Sequence, residues 1–163
     1  MMAGRGVFDL NFTCPLFAVQ DIRRSVSFYQ EVLGQQVAMD FGTNVTFQGG
    51  FALQEGLDQL AGFPAQKIVW GSHNAELYFE SPNFDGDVAA VKRAGVPLLH
   101  DVREHPWGQR VLRFYDPDGH IVELGEAMHT VICRFLSQGM TPQEAAQRSQ
   151  YPLEFVLRCQ AEG

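Results

Sequence analysis

Residues 11–19 (NFTCPLFAV) read as a strand of period two that ends in an apolar run. Asp21 follows as a helix N-cap, and Ile22, Val26, Tyr29 and Leu33 then recur as one stripe of an amphipathic helix. Gly34 stands where a left-handed residue ends a helix. Three short strands are expected next, at 36–41, 44–48 and 51–55, with Gly49-Gly50 as the turn between the last two. The order is β-α-β-β-β.

That order then recurs. Residues 75–80 (AELYFE) alternate as a strand, and Asn83 or Asp85 caps a helix carrying Phe84, Val88 and Val91. Gly95 closes it as Gly34 closes the first, 61 residues earlier. Strands are expected around 96–103, 109–115 and 120–125, with the turn Asp116-Pro117-Asp118-Gly119 between the last two. If that turn closes as a three-residue loop with a glycine bulge, Asp116 pairs with His120, and Arg113 lies across from Glu123. Phe114 then joins Val122 in the core.

The chain therefore reads as an internal repeat of class α+β. Its divisions are a first βαβββ module at 10–57, a linker or lid at 58–74, a second module at 75–127 and a helical extension at 128–163. The linker contains Phe63, Ile68, Val69 and Trp70, too apolar to float free. In the extension, Met128, Val131, Ile132, Phe135 and Leu136 make a helical stripe that Gly139 ends. Thr141-Pro142-Gln143-Glu144 is a capping box with proline at the first helical position, and a last helix is expected from about Pro152 to Cys159.

Charge narrows the partners. Lys and Arg number 12 against 19 Asp and Glu, a net −7, which repels phosphate backbones and anionic lipid. Neither nucleic acid nor membrane is an expected partner. The extension has the outline of a helix-turn-helix, but Arg134, Arg148 and Arg158 are balanced by Glu144, Glu154 and Glu162, leaving no basic face. No apolar run approaches the roughly 18 residues of a spanning helix. Residues 1–10 carry no apolar stretch of signal-peptide length. Cys14, Cys133 and Cys159 are odd in number and lack metal-knuckle spacing, so reduced thiols in the cytoplasm are expected.

Two βαβββ units ending in Phe114-Tyr115-Asp116-Pro117-Asp118-Gly119-His120-Ile121-Val122-Glu123-Leu124 resemble the vicinal oxygen chelate superfamily of glyoxalases, bleomycin-resistance proteins and extradiol dioxygenases. Val19-Gln20-Asp21-Ile22 with Ser25, Phe28-Tyr29 and Val32-Leu33-Gly34 is similar to the family's first strand and helix. The resemblance covers about residues 10–127. It implies paired modules whose sheets curve around a shared cavity, and a homodimer, whose interface the stripe of 128–136 is expected to join.

It also implies four ligand positions for a divalent metal such as zinc, nickel, iron or manganese. These fall on Cys14, Ala52, Glu76 and Glu123, with Gln54 the polar neighbour of Ala52. Alanine ligates nothing, and a thiol beside two carboxylates is an unusual set. Strand alternation puts Glu76, Tyr78 and Glu80 opposite Leu77 and Phe79, and Glu123 opposite Val122 and Leu124.

Other candidates surround these. Glu104 to Arg110 forms a loop ahead of a strand, where His105 would serve as an acid or base beside Glu123, and Trp107 and Gln109 would touch a ligand with Tyr78. Arg113 reads either as the structural ion-pair partner of the carboxylates or as an anion clamp. His73, His100, His120 and His129 are expected at the surface. The function expected is binding of a small oxygen-bearing molecule in the inter-module cavity. The alternative is a metal-dependent lyase, isomerase or dioxygenase using Glu76 and Glu123. Nucleophile elbow, phosphate loop and dinucleotide fingerprint are all missing from the sequence.

Overall fold

The computed structural model describes residues 10–162. All but the last residue of the N-terminal stretch read for signal character lies outside them. The chain divides into two compact units, 1–68 and 69–163.

In the first unit, β1 (Leu16–Val19), α1 (Ile22–Glu31), β2 (Val37–Asp40), β3 (Asn44–Phe47) and β4 (Ala52–Glu55) build a four-stranded sheet of order β1-β4-β3-β2. β1 runs parallel to β4, and the other pairs are antiparallel. The first strand starts at Leu16, later than expected, so Cys14 precedes it. Pro15 has no N–H to give a ladder; it contributes only its carbonyl, which accepts from Ala52 N at 3.0 Å. Asp21 caps α1 by accepting from Arg24 N, and Glu55 of β4 accepts from Ile22 N at 2.9 Å. α1 stops at Glu31, short of Leu33, and Gly34 takes the left-handed backbone at φ +62°. Tyr29, Phe47 and Phe51 form the aromatic heart, the two phenylalanines stacked at 4.6 Å.

The linker is only partly packed. It holds a short helix, α2 (Leu57–Ala61), and a single 3-10 turn at Ala65–Lys67. Phe63 and Ile68 are half-buried, while Val69 and Trp70 are exposed.

The second unit repeats the order with β5 (Glu76–Ser81), α3 (Phe84–Arg93), β6 (Leu98–Glu104), β7 (Arg110–Tyr115) and β8 (Ile121–Glu126), in a sheet of order β5-β8-β7-β6. β5 and β8 are parallel and the rest antiparallel. Leu77, Leu112, Phe114, Val122 and Leu124 make the apolar face, and α3 buries Phe84, Val88 and Val91. Asn83 precedes α3 without a side-chain cap bond, and Asp85 lies inside the first turn, where it pairs with Arg110 at 2.9 Å. The Asp-Pro-Asp-Gly hairpin closes with Asp116 N donating to His120 O at 3.0 Å and Gly119 at φ +85°. Arg113 accordingly opposes Glu123, and Phe114 opposes Val122.

Three helices complete this unit: α4 (Met128–Ser137), α5 (Pro142–Ser149) and α6 (Leu153–Glu162). The Thr141–Glu144 capping box is formed. Val131, Ile132 and Phe135 are fully buried against Ala145, Val156 and Cys159 of the same chain. The stripe at 128–136 is thus not spare surface for a dimer, because α5 and α6 fold back over it. The appendage is also anchored electrostatically: fully buried Glu126 pairs with Arg110 of β7 and Arg134 of α4, each at 3.0 Å.

Candidate active site on the second sheet

The register of the second sheet sets Tyr78, Glu123, Arg113 and His100 in one row across β5, β8, β7 and β6. All four belong to the face away from the apolar side chains that α3 covers, because side chains alternate along each strand. Arg113 is the centre of this row. Its Nε donates to Glu76 Oε2 at 2.9 Å, and its Nη2 pairs with Glu123 Oε2. Its Nη1 lies 3.4 Å from His100 Nε2, whose other ring nitrogen is 2.7 Å from the Asp101 carbonyl. The carbonyl fixes Nδ1 as the donor, so Nε2 can accept from Arg113.

Glu123 is 5% exposed, and burying a carboxylate is tolerable only beside a counter-charge. Arg113 is that counter-charge. Of the two roles the sequence offered it, ion-pair partner and anion clamp, the geometry matches the first, since both carboxylates answer its charge.

A second network lies beside the first. The His105 ring stacks on Trp107 at 4.3 Å, and Trp107 Nε1 donates to Gln109 Oε1 at 3.1 Å. Gln109 Nε2 donates to the Tyr78 phenol at 2.8 Å and to the Glu126 carbonyl at 2.9 Å. The Tyr78 hydroxyl donates in turn to Glu80 Oε1 at 2.8 Å. Burial, reinforced by Glu80, pushes the Tyr78 phenol up to about 12, so it remains a donor at neutral pH. The same physics acts oppositely on His105: burial first, then the charge of Arg113, lowers its pKa and favours the neutral ring.

Glycine makes this network possible. A Cβ on Gly125 of β8 would come within 2.8 Å of Tyr78 Cε2 and 3.0 Å of Gln109 Nε2. Only a residue without a side chain lets the phenol and the amide lie across the strand.

Seven of the sequence candidates, Glu76, Tyr78, His105, Trp107, Gln109, Arg113 and Glu123, thus meet in these two networks. Cys14 and Ala52 belong to the other unit. Ala52 is buried, and its neighbour Gln54 is engaged, accepting from Asn44 Nδ2 at 3.0 Å and donating to the Glu55 carbonyl at 2.7 Å. Among the described residues, no three His, Cys, Asp or Glu side chains gather in a way that could hold a metal ion.

Sequence reading missed His100, because β6 carries register irregularities on both sides of it and simple alternation fails there. It also left His73 and His120 as plain surface residues. His73 stacks on Tyr115 at 5.5 Å with its Nε2 3.0 Å from the hydroxyl. His120 is half-buried, its Nδ1 2.8 Å from Asp116 Oδ2. Glu80 was legible as a member of this face, and its role as partner of Tyr78 was not.

A family model described as a glyoxalase-like domain matches residues 12–129. It ends as α4 begins, so α5 and α6 lie beyond it. A crystal structure of a protein of unknown function from Agrobacterium tumefaciens str. C58 is 38% identical, with a TM-score of 0.64 over 75% of this chain and 98% of that one. A glyoxalase/bleomycin resistance protein/dioxygenase from Nocardioides is 20% identical at TM-score 0.59, over 74% of this chain and 86% of that one. A lactoylglutathione lyase from Agrobacterium tumefaciens is 18% identical at TM-score 0.56, over 74% of this chain and 96% of that one. The last two likenesses are of fold.

Proposed function

The chain belongs to the glyoxalase-like domain family of the vicinal oxygen chelate superfamily, and from that premise we propose that it binds a small oxygen-bearing molecule without a metal ion. The observation that carries this reading is Arg113, held between Glu76 and Glu123. A divalent ion in this fold is implied to use those carboxylates together with donors at Cys14 and Ala52. Here the guanidinium occupies both carboxylates and Ala52 offers no donor, so the residues do not fit such an ion. No lyase, isomerase or dioxygenase step is derived through one.

Charge then selects the ligand. Glu76, Glu80 and Glu123 outnumber Arg113 and Arg103, which the register sets opposite Val111 on this face, and His105 is held towards its neutral form. An anionic ligand meets repulsion, whereas a neutral or cationic molecule does not. Hydroxyl or amine donors would meet Glu76 and Glu80, and a carbonyl or ether oxygen would accept from Arg113 Nη1, whose second hydrogen is not used by His100. A flat ring would lie against Tyr78 and Trp107. Such a protein sequesters its ligand, and the homodimer and cytoplasmic setting expected from sequence are part of the same proposal.

The test is a thermal-shift panel of hydroxylated aromatic amines, their neutral analogues and the matching carboxylates, with a chelator present throughout. Neutral and cationic members should stabilise the protein, by about 2.7 kcal/mol once ligand reaches one hundred times Kd. Arg113→Met should remove the response to the neutral members, which need its donor, and not the response to the cationic ones. Binding confined to carboxylates, or appearing only when a divalent ion replaces the chelator, would overturn the reading.

A further inference from the structure

Cys133 projects from α4 into a cluster that neither network above uses. Its Sγ lies 3.7 Å from Nδ1 and 3.9 Å from Nε2 of His129, one helical turn earlier. His129 Nε2 in turn lies 3.3 Å from Glu162 Oε2 at the end of α6. Across the same α4–α6 contact, Cys133 Sγ is 4.0 Å from the carbonyl oxygen of Cys159. The spacing His-x-x-x-Cys on α4 and Cys-x-x-Glu on α6 puts all four side chains on facing helical turns. A surface histidine and two separate thiols, as the sequence suggested, are in fact one constellation.

We propose that Cys133 and Cys159 are a peroxide-responsive dithiol that closes into an intrachain disulfide joining α4 to α6. The two thiols have unlike environments. Cys133 is half-buried and open to a small oxidant, with an imidazole beside its sulfur. Cys159 is 1% exposed, and burial raises its thiol pKa, so it meets oxidant poorly by itself. The order of events follows. Cys133 passes its proton to His129, whose charged form has Glu162 as counter-ion, and the thiolate attacks one oxygen of hydrogen peroxide. The O–O bond breaks, Cys133 becomes a sulfenic acid, and the departing oxygen takes the proton from His129 and leaves as water. Cys159 sulfur then displaces the sulfenic oxygen, which leaves as a second water carrying the Cys159 proton. Two thiols supply two electrons, and peroxide is reduced to two waters.

The functional consequence lies in what α4 touches. Arg134, next to Cys133, donates to the Gly108 carbonyl at 2.6 Å, and Trp107 packs on the appendage core. Tying α4 to α6 therefore acts on the loop that carries Trp107 and Gln109.

The experiment is titration of the full chain with hydrogen peroxide, followed by alkylation of remaining thiols and peptide mass spectrometry. Expected is a cross-linked pair of peptides containing Cys133 and Cys159, with Cys14 still alkylated. Cys159→Ser should stop at a Cys133 sulfenic acid trapped by dimedone, and Cys133→Ser should leave Cys159 reduced. His129→Ala, which removes the acceptor beside the Cys133 sulfur, should slow the first step. Oxidation of Cys14 at an equal rate, a Cys133 sulfinic acid in the wild type with Cys159 still alkylated, or cross-links between chains would each overturn the proposal. Where Cys159→Ser loosens the apolar core, the half-buried Cys133→Ser keeps the proposal testable, and the readout is independent of any ligand at Arg113.

Discussion

Gly108 lies so close to Phe135 that a Cβ there would run into Cζ and Cε1 of the ring. Its backbone is also left-handed, at φ +86°. The loop bearing Trp107 and Gln109 is thereby seated on α4, and the site's second network depends on a helix that lies mostly beyond the family domain. Gly108→Ala combines steric overlap with backbone strain and should cost about 2–4 kcal/mol. A urea unfolding midpoint unchanged from wild type would show that the contact yields easily.

From the opposite side of the same contact, Phe135→Ala opens a cavity among Val131, Ile132, Ala145 and Val156. A loss of about 3–5 kcal/mol is expected, with red-shifted emission from Trp107 as its packing loosens. Ending the chain at Glu126 should do worse, since it also removes Arg134 from buried Glu126. If that truncated chain melts at the full-length temperature, the three helices are an independent arm.

The repeat was legible because each module carries its own strong signals: a helical stripe, a closing glycine, and strands short enough for turn residues to mark. Gly34, Gly95 and Gly119 all adopt the left-handed backbone that such signals require. The pairing of Arg113 with Glu123 followed from the turn length, since a glycine-bulge hairpin fixes register. What stayed hidden depends on contacts distant in sequence. Glu126 reads as the polar end of a strand, and nothing local announces that Arg110 and Arg134 converge on it. Alternation did set Glu76 and Glu123 within reach of Arg113, but it left open whether the guanidinium or a bound cation joins the two carboxylates.

Glu126 should govern acid stability. Burial alone would raise its pKa, but the hydrogen bonds and charges of Arg110 and Arg134 prevail and hold it below the ordinary 4.5. Its stabilisation is present above that value and is lost as pH falls through the folded pKa. Glu126→Gln should cost about 2–4 kcal/mol at neutral pH, because two guanidinium groups lose a buried partner. The gap between wild type and variant should narrow in acid, measured by denaturant midpoints across pH. A constant gap would mean the cost is packing alone.

His120 acts in the opposite direction. Burial alone would lower its pKa, yet Asp116 outweighs it and raises the value above 6.5. The pair is therefore fully stabilising below pH 6.5, and that contribution fades as pH rises through the folded pKa. His120→Asn should lower the melting temperature most in mildly acidic buffer and least in alkaline buffer. The reverse trend would assign the hairpin's stability to the neutral imidazole.

Manganese uptake at equilibrium, read by electron paramagnetic resonance on the chelator-stripped full chain, addresses most directly the claim that Arg113 replaces a metal between Glu76 and Glu123. Manganese suits carboxylates and has little attraction to the thiols of α4 and α6. The account predicts no stoichiometric uptake by the wild type at micromolar metal, and tighter uptake by Arg113→Met, which frees both carboxylates. One manganese ion held per wild-type chain, and lost on Glu123→Gln, would contradict it.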